Sequence, residues 1–170
     1  FIDGQIADEF VGALPEQKVQ EFIQELIPNE ADLALRAANS FLATRHWGEA
    51  EEAYRDLLLD YPNYPDANLN LAKALLAQAL GCEAQELLKE CLKSPQMLRA
   101  ERLLPLALYL CRNETTAEEF DIDPIEAQYR RAAHLLQQGN LEAALDGLLD
   151  VLRQDKNYRK GEPKNVMLAL

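Results

Sequence analysis

One interval recurs along this chain of 170 residues. Ala38 and Ala72 are 34 positions apart, and so are Ala50 and Ala84. The same interval separates three further pairs of mostly large residues: Phe41 and Leu75, Tyr54 and Leu88, and Leu57 and Cys91. A unit of this length has too little apolar surface to form a core alone, so it must stack on its neighbours. The interval therefore predicts a repeat protein.

Each repeating unit is expected to contain two helices. A small residue is followed three positions later by a large one, and a second small residue by large ones four and seven positions later. Small side chains let two helix backbones approach, and large ones fill the space beside the contact. Pro62 and Pro95 end the second helix of each unit. We expect the two units over residues 31–64 and 65–98, after a helix start capped by Asn29.

This pattern resembles the tetratricopeptide repeat (TPR). A third unit is expected over 125–158, where Ala132 follows Ala38 by 94 positions. Because 94 is not a multiple of 34, residues 99–124 are expected to be irregular, with a helix kinked or shortened at Pro105 and then an acidic loop. Residues 29–98 would hold the first two units.

The third unit has a clear helix start. Asp123 is placed to cap the first helix, and Pro124 stands at its first position. The closing residues 159–170 are expected to begin a further C-terminal helix. The beginning at Phe1 and the apolar end at Leu170 predict that the chain is a piece of a longer protein.

Residues 1–28 differ from the repeats and resemble the C-terminal end of a thioredoxin domain. The matching residues are Phe1, Gly4, Val11, Gly12, Ala13 and Phe22. Together, these segments resemble the chaperedoxin family, bacterial co-chaperones of the stress response in which a thioredoxin domain precedes a TPR array. The fold class expected is mainly α, a TPR-like helical solenoid preceded by the last strand and helix of a thioredoxin-like fold.

Composition narrows the range of partners. The formal net charge of −12 argues against nucleic acid or an anionic membrane as the main partner. No apolar run approaches the roughly 20 residues needed to cross a bilayer. Three cysteines, Cys82, Cys91 and Cys111, include no Cys-x-x-Cys pair, so we expect reduced thiols in the cytoplasm.

In a TPR, the resemblance implies that the first helices line the concave face and meet the ligand. The candidate client-binding residues are the first-helix positions outside the small-and-large contact set. They are Leu35, Arg36, Asn39, Leu42, Leu69, Asn70, Lys73, Leu76, Tyr129, Arg130 and Leu136. Such a mixture of apolar groups, cations and amides suits an extended or unfolded polypeptide. The alternative is that the leucines pack between neighbouring helices.

The resemblance implies a co-chaperone that holds unfolded client proteins and passes them to a chaperonin or to other chaperones. Three other readings stay open. Asn39 and Asn70 resemble the paired asparagines of TPR clamps for C-terminal carboxylates, although Leu35 stands at one expected basic position. The chain could instead belong to a thiol–disulfide oxidoreductase whose active domain lies upstream, or be a TPR scaffold for one folded partner.

No catalytic role is expected for this part of the chain. His46 and His134 have no Cys, Asp or Glu set at the spacing of a metal site or a catalytic triad. No glycine-rich phosphate loop or serine nucleophile elbow is present. We therefore expect no cofactor and no metal, and a function based on binding.

Overall fold

A computed structural model of the chain describes residues 15–16, 18–19, 29–64, 66–115 and 122–170. The predicted strand and helix of a thioredoxin-like domain fall on residues 1–28. That prediction therefore lies almost entirely outside the described residues.

The described residues form eight α-helices and no strand, as a mainly α fold requires. The helices are α1 (Glu30–Ala43), α2 (Trp47–Asp60), α3 (Ala67–Ala77), α4 (Gly81–Cys91), α5 (Met97–Thr115), α6 (Pro124–Gln137), α7 (Leu141–Gln154) and α8 (Glu162–Ala169). A short 3₁₀ turn, Tyr158–Gly161, precedes α8. Helices α1 and α2, α3 and α4, and α6 and α7 pack as three antiparallel pairs.

The helix starts follow local rules of capping. The Asn29 side chain accepts a hydrogen bond of 2.8 Å from the backbone N–H of Asp32, as expected for the cap of α1. Asp123 caps α6 in the same way through the N–H of Ile125, at 2.7 Å, and Pro124 begins the helix.

The turns that join the two helices of each pair have the same backbone geometry. Arg45, Ala79 and Gly139 occupy equivalent places and all have positive φ, of 62°, 60° and 75°. In each turn the next residue donates its N–H to a carbonyl five positions earlier, at 2.9 Å. This is the Schellman ending of a helix, in which a left-handed residue turns the chain out of the helix. The same turn at intervals of 34 and 60 residues supports the predicted register.

The predicted contact positions form the core. Most of them are completely buried, namely Ala38, Ala50, Ala72, Ala84, Ala132, Ala144, Tyr54, Leu88 and Leu148. Phe41 is a partial exception, because it is exposed on α1 while its equivalent Leu75 is buried on α3. Leu75 lies on α3, which is covered by α2, the second helix of the preceding pair. Phe41 belongs to the first described pair, so no earlier described pair covers it.

Helix α5 differs from its prediction. It runs without interruption from Met97 to Thr115 and contains Pro105, so the expected shortening is wrong. A proline removes one hydrogen bond within a helix, but packing can hold the helix together. Here α5 lies between α4 and α8 and buries Ala107, Tyr109 and Leu110.

The three pairs do not form one uniform stack. The first two pairs continue into α5, which packs on α4 as the first helix of another repeat would. The third pair continues into α8, which packs on α7 and on α5. Among the described helices, the third pair therefore meets the first two chiefly through α5 and α8. The first helices of all three units therefore do not line one continuous concave face, because the last helix of each array occupies the junction.

The cysteines also differ from their prediction. Cys82 on α4 and Cys111 on α5 form a disulfide, with Cα atoms 4.2 Å apart. Cys91 is free and buried. The expectation of three reduced thiols is wrong, because the packing of α4 on α5 brings together two cysteines that are 29 positions apart in the sequence.

Candidate protein-binding surface

A chain of hydrogen bonds links the first helices of the first two repeats. Asn70 donates through Nδ2 to Oδ1 of Asn39 at 3.0 Å, and Lys73 donates through Nζ to Oδ1 of Asn70 at 2.9 Å. The hydroxyl of Tyr54 also donates to Oδ1 of Asn39, at 2.5 Å. Three of the predicted site residues, Asn39, Asn70 and Lys73, are thus brought together across α1 and α3.

Two cations, Lys73 and Arg99, lie at one end of this hydrogen-bonded chain. Burial is the main cause that lowers the pKa of Lys73, and the nearby cation Arg99 lowers it further, whereas Asp66 acts in the opposite direction. Arg99 forms a long ion pair with Asp66, at 3.6 Å, and stays largely exposed. Burial also raises the pKa of Tyr54 to about 12, so its hydroxyl remains a donor at neutral pH. An anionic group approaching this end would meet two cations and the carboxylate of Asp66.

The apolar members of the predicted site lie elsewhere. Leu69 and Leu76 are only 1% and 8% exposed, so they pack in the core. Leu35 and Leu42 are half-buried against the same core. The prediction that Leu69 and Leu76 line an apolar groove is wrong, because α3 is covered by its neighbours on almost every side.

The predicted residues of the third unit are separated from these groups and take part in packing. Tyr129 is buried, and its ring centre is 4.6 Å from that of Tyr109 on α5. The Tyr109 hydroxyl donates to the backbone oxygen of Tyr129 at 2.6 Å. Arg130 is ion-paired with Glu126, and Leu136 is half-buried against the core. The remaining predicted site residue, Arg36 on α1 of the first unit, is exposed.

Glu126 joins α6 to the C-terminal segment. Its carboxylate accepts hydrogen bonds from Arg130 at 2.7 Å, from Arg159 at 2.8 Å and, through a shorter contact, from the hydroxyl of Tyr158. Burial alone would raise the pKa of Glu126, but these three donors outweigh it and hold the pKa at about 2. This cluster stabilises the junction, and nothing in its geometry requires a ligand.

A matching tyrosine contact in the first repeat was missed at the sequence level. Tyr64 and Tyr158 are 94 positions apart, as are Ala38 and Ala132. Each tyrosine hydroxyl donates to a carboxylate 32 positions earlier, Asp32 for Tyr64 and Glu126 for Tyr158. The paired sequences Asn63-Tyr64 and Asn157-Tyr158 were the available signal, but their acidic partners are distant in sequence.

The most exposed apolar side chains near the junction lie on α5 and α8. Leu98 is 68% exposed and Leu168 is 76% exposed. Leu98, Pro105 and Leu108 share one face of α5, since they follow one another at helical spacing. A groove of about 530 Å³ separates this face from α8 and is lined by Arg102, Pro105 and Leu168, among others. We call Leu98, Arg102, Pro105, Leu108 and Leu168 the α5–α8 face.

Two further features concern metal ions and membranes. Within the described parts of the chain, no group of three or more His, Cys, Asp or Glu side chains could bind a metal ion. None of the described helices is long and apolar enough to span a bilayer.

Comparison with known proteins agrees with the repeat architecture. Residues 35–81 match one tetratricopeptide repeat family, and residues 113–170 match another. A protein of Haemophilus influenzae, described only as uncharacterized, is 26% identical over 182 aligned positions that cover 100% of this chain and 82% of that protein. No solved structure matches.

The chain therefore contains tetratricopeptide repeats, as predicted. Repeats of this kind make it a protein–protein interaction module. The partner has to be argued from the surfaces described above.

Proposed function

We propose that this chain is the repeat region of a bacterial co-chaperone similar to the chaperedoxins, which holds unfolded client proteins in the cytoplasm and hands them to a chaperonin. The resemblance of residues 1–28 to a thioredoxin end, followed directly by TPR units, supports the family. The proposed action is binding without catalysis by these repeats, with no cofactor and no role for nucleic acid or a membrane.

The observation that carries the proposal is the exposed α5–α8 face. Unfolded clients present apolar side chains, and a surface that binds them must keep apolar groups in contact with water. Leu98 and Leu168 do so, whereas Leu69 and Leu76 do not. We therefore place client contact on the α5–α8 face, away from the concave side where the sequence predicted it.

The remaining surface suits a holding function. Acidic residues of the second helices, such as Glu49, Glu52 and Glu86, are exposed. With a net charge of −12, a complex with an aggregation-prone client would stay dispersed through repulsion between its copies. Glu101, Arg102 and Asn165 line the groove together with Pro105 and Leu168 and would meet polar groups of the client chain.

The test is suppression of aggregation of heat-unfolded citrate synthase, followed by light scattering. The double variant Leu98→Ser and Leu168→Ser is expected to lose most of the suppression while it melts at the same temperature as the parent. Leu59→Ser is the matched control, because Leu59 is 78% exposed on α2, outside the α5–α8 face. Equal suppression by the parent and the double variant would refute the proposed client surface.

Transfer to a chaperonin needs its own test. The held client is expected to regain activity when a chaperonin and ATP are added, and to stay inactive when either is left out. Recovery without the chaperonin would contradict the proposed transfer. Native partners captured in preference to denatured ones would instead favour a scaffold for one folded protein.

The polar chain of Asn39, Asn70 and Lys73 favours a second function, the binding of a peptide C-terminus. Amide groups and cations can bind a carboxylate, and Arg99 adds a cation although Leu35 replaces another. A fluorescent peptide with a free carboxyl end would bind more tightly than its amidated copy. Equal binding of the two peptides would exclude the clamp.

The upstream oxidoreductase alternative depends on residues before Phe1. A Cys-x-x-Cys motif in a thioredoxin-like sequence there would support it.

A further inference from the structure

We propose that Cys82 and Cys111 form a reversible redox pair that exchanges with small thiols of the glutathione type. The inference does not depend on client binding, but it rests on the cytoplasmic location given in the proposed function. It starts from the position of the disulfide, which joins the first turn of α4 to the last third of α5. Disulfides in a reducing compartment are usually transient and take part in exchange.

Solvent can reach this disulfide. Cys82 and Cys111 are both half-buried, whereas the third cysteine, Cys91, lies in the core at 5% exposure. Thiol–disulfide exchange requires a thiolate to approach a sulfur atom directly. The half-buried pair is therefore more open to attack than the buried Cys91.

The fold holds the two cysteines together even without the bond. Helices α4 and α5 pack closely on each other, and both carry almost completely buried residues, such as Leu88 on α4 and Leu110 on α5. Gly81 lies so close to α5 that an added Cβ would be 2.4 Å from the backbone nitrogen of Cys111. Reduction would thus leave the thiols side by side, which allows the bond to form again.

Cys82 is the sulfur better suited to leave as a thiolate. It is the second residue of α4, where the helix dipole stabilises negative charge, whereas Cys111 lies near the C-terminal end of α5, where the dipole disfavours it. Three acids lie near this helix start: Glu114, which accepts the backbone N–H of Gly81, and two that are ion-paired. Glu83 is ion-paired with Arg55 at 2.6 Å, and Glu86 with Lys89 at 2.7 Å.

The exchange can be written in two balanced steps. A glutathione thiolate attacks Sγ of Cys111, the sulfur–sulfur bond breaks, and Cys82 leaves as a thiolate. A second glutathione thiolate then attacks the glutathione sulfur of the mixed disulfide, and Cys111 leaves. Two electrons pass to the protein, two glutathione molecules are oxidised to their disulfide, and the two protein thiolates take up protons from water.

The first test equilibrates the Cys91→Ser chain in glutathione buffers of different redox ratio, traps free thiols with a maleimide of high mass, and resolves the products on a gel. Cys91→Ser removes the third thiol. We expect both cysteines to pass from oxidised to reduced within the range of glutathione ratios, with an unchanged helical circular dichroism signal. A bond that resists the most reducing glutathione buffer, or that is reduced only as helix is lost, would overturn the proposal.

The second test assigns the leaving sulfur. In the Cys91→Ser background, Cys111→Ser leaves Cys82 as the free thiol, and Cys82→Ser leaves Cys111. With Ellman's reagent at pH 7, Cys82 is expected to react about tenfold faster than Cys111, because its thiolate is favoured at the helix end. Equal rates, or a faster Cys111, would overturn the assignment. Comparison of the melting curves of the two variants shows that both are folded.

Discussion

The carboxylate of Glu126 should make the stability of the protein depend on acid pH. Three donors bind it, from Arg130, Arg159 and Tyr158, and the side chain is only 15% exposed. Its pKa of about 2 lies below the ordinary 4.5. At 1.36 kcal/mol for each pKa unit, this difference corresponds to at most about 3.4 kcal/mol. Solvent reaches Arg130 and Arg159 and screens part of it, so we expect about 1–2 kcal/mol.

The direction of the pH effect follows from the depressed pKa. A carboxyl group whose pKa is lower in the folded state stabilises the protein fully above its unfolded value of 4.5, and this stabilisation is lost as the pH falls towards 2. Glu126→Gln should therefore lower the free energy of unfolding by about 1–2 kcal/mol at pH 7 and by little near pH 2.

The measurement is urea unfolding, followed by circular dichroism, at several pH values between 7 and 2.5. Glu52→Gln is the matched control, because Glu52 is exposed on α2. The reasoning is refuted if Glu126→Gln and the parent differ by the same amount at every pH, or if they do not differ at pH 7.

Three further predictions concern backbone geometry and helix contact. Gly81→Ala should destabilise the protein by about 1–3 kcal/mol, because the added Cβ would overlap α5. Gly48→Ala should have no such effect, because the space around Gly48 is open. Chemical unfolding of both variants is the measurement, and an equal effect of the two would contradict the close approach of Gly81 to α5. Gly139 and Arg45 both have positive φ, which glycine adopts more easily than other residues. Gly139→Ala should therefore lower the free energy of unfolding by about 1 kcal/mol, and Arg45→Gly should raise it by about 0.5 kcal/mol. Changes of the opposite sign would contradict the turn geometry. Ala50→Phe should destabilise by about 1–3 kcal/mol by overfilling the contact between α1 and α2, and a neutral result would contradict the repeat register.

The helix pairs could be predicted because their rules are local or periodic. Ala38, Ala72 and Ala132 repeat at fixed intervals, and their burial follows from the need of two helices to approach. The caps Asn29 and Asp123 act on residues two or three positions away. Such features depend on one turn of helix or on one repeat, both of which can be read in a single sequence.

The arrangement of the pairs could not be predicted in the same way. It depends on contacts between α5 and α8, such as the ion pair of Arg112 with Glu162, which join residues 50 positions apart. No periodic signal marks such a contact. The continuity of α5 through Pro105 and the disulfide between Cys82 and Cys111 follow from the same long-range packing.

Of the predicted site residues, the polar ones of the first two repeats lie together as expected, which does not by itself test their role in binding. Asn39, Asn70 and Lys73 were expected on one face and are linked by hydrogen bonds there. Leu69 and Leu76 occupy the same helix faces by position, but packing of the neighbouring helices buries them. Sequence position identifies the face of a helix, and only the packing shows whether that face meets water.

The most direct test of the proposed client surface is photocrosslinking to an unfolded client. The photoreactive residue p-benzoylphenylalanine would be placed at position 98 on the α5–α8 face, at position 35 on the concave side, or at exposed position 59 on α2. Heat-unfolded citrate synthase is expected to crosslink strongly from position 98 and weakly from positions 35 and 59. Crosslinking that is strongest from position 35, or equal from all three, would contradict client binding at the α5–α8 face.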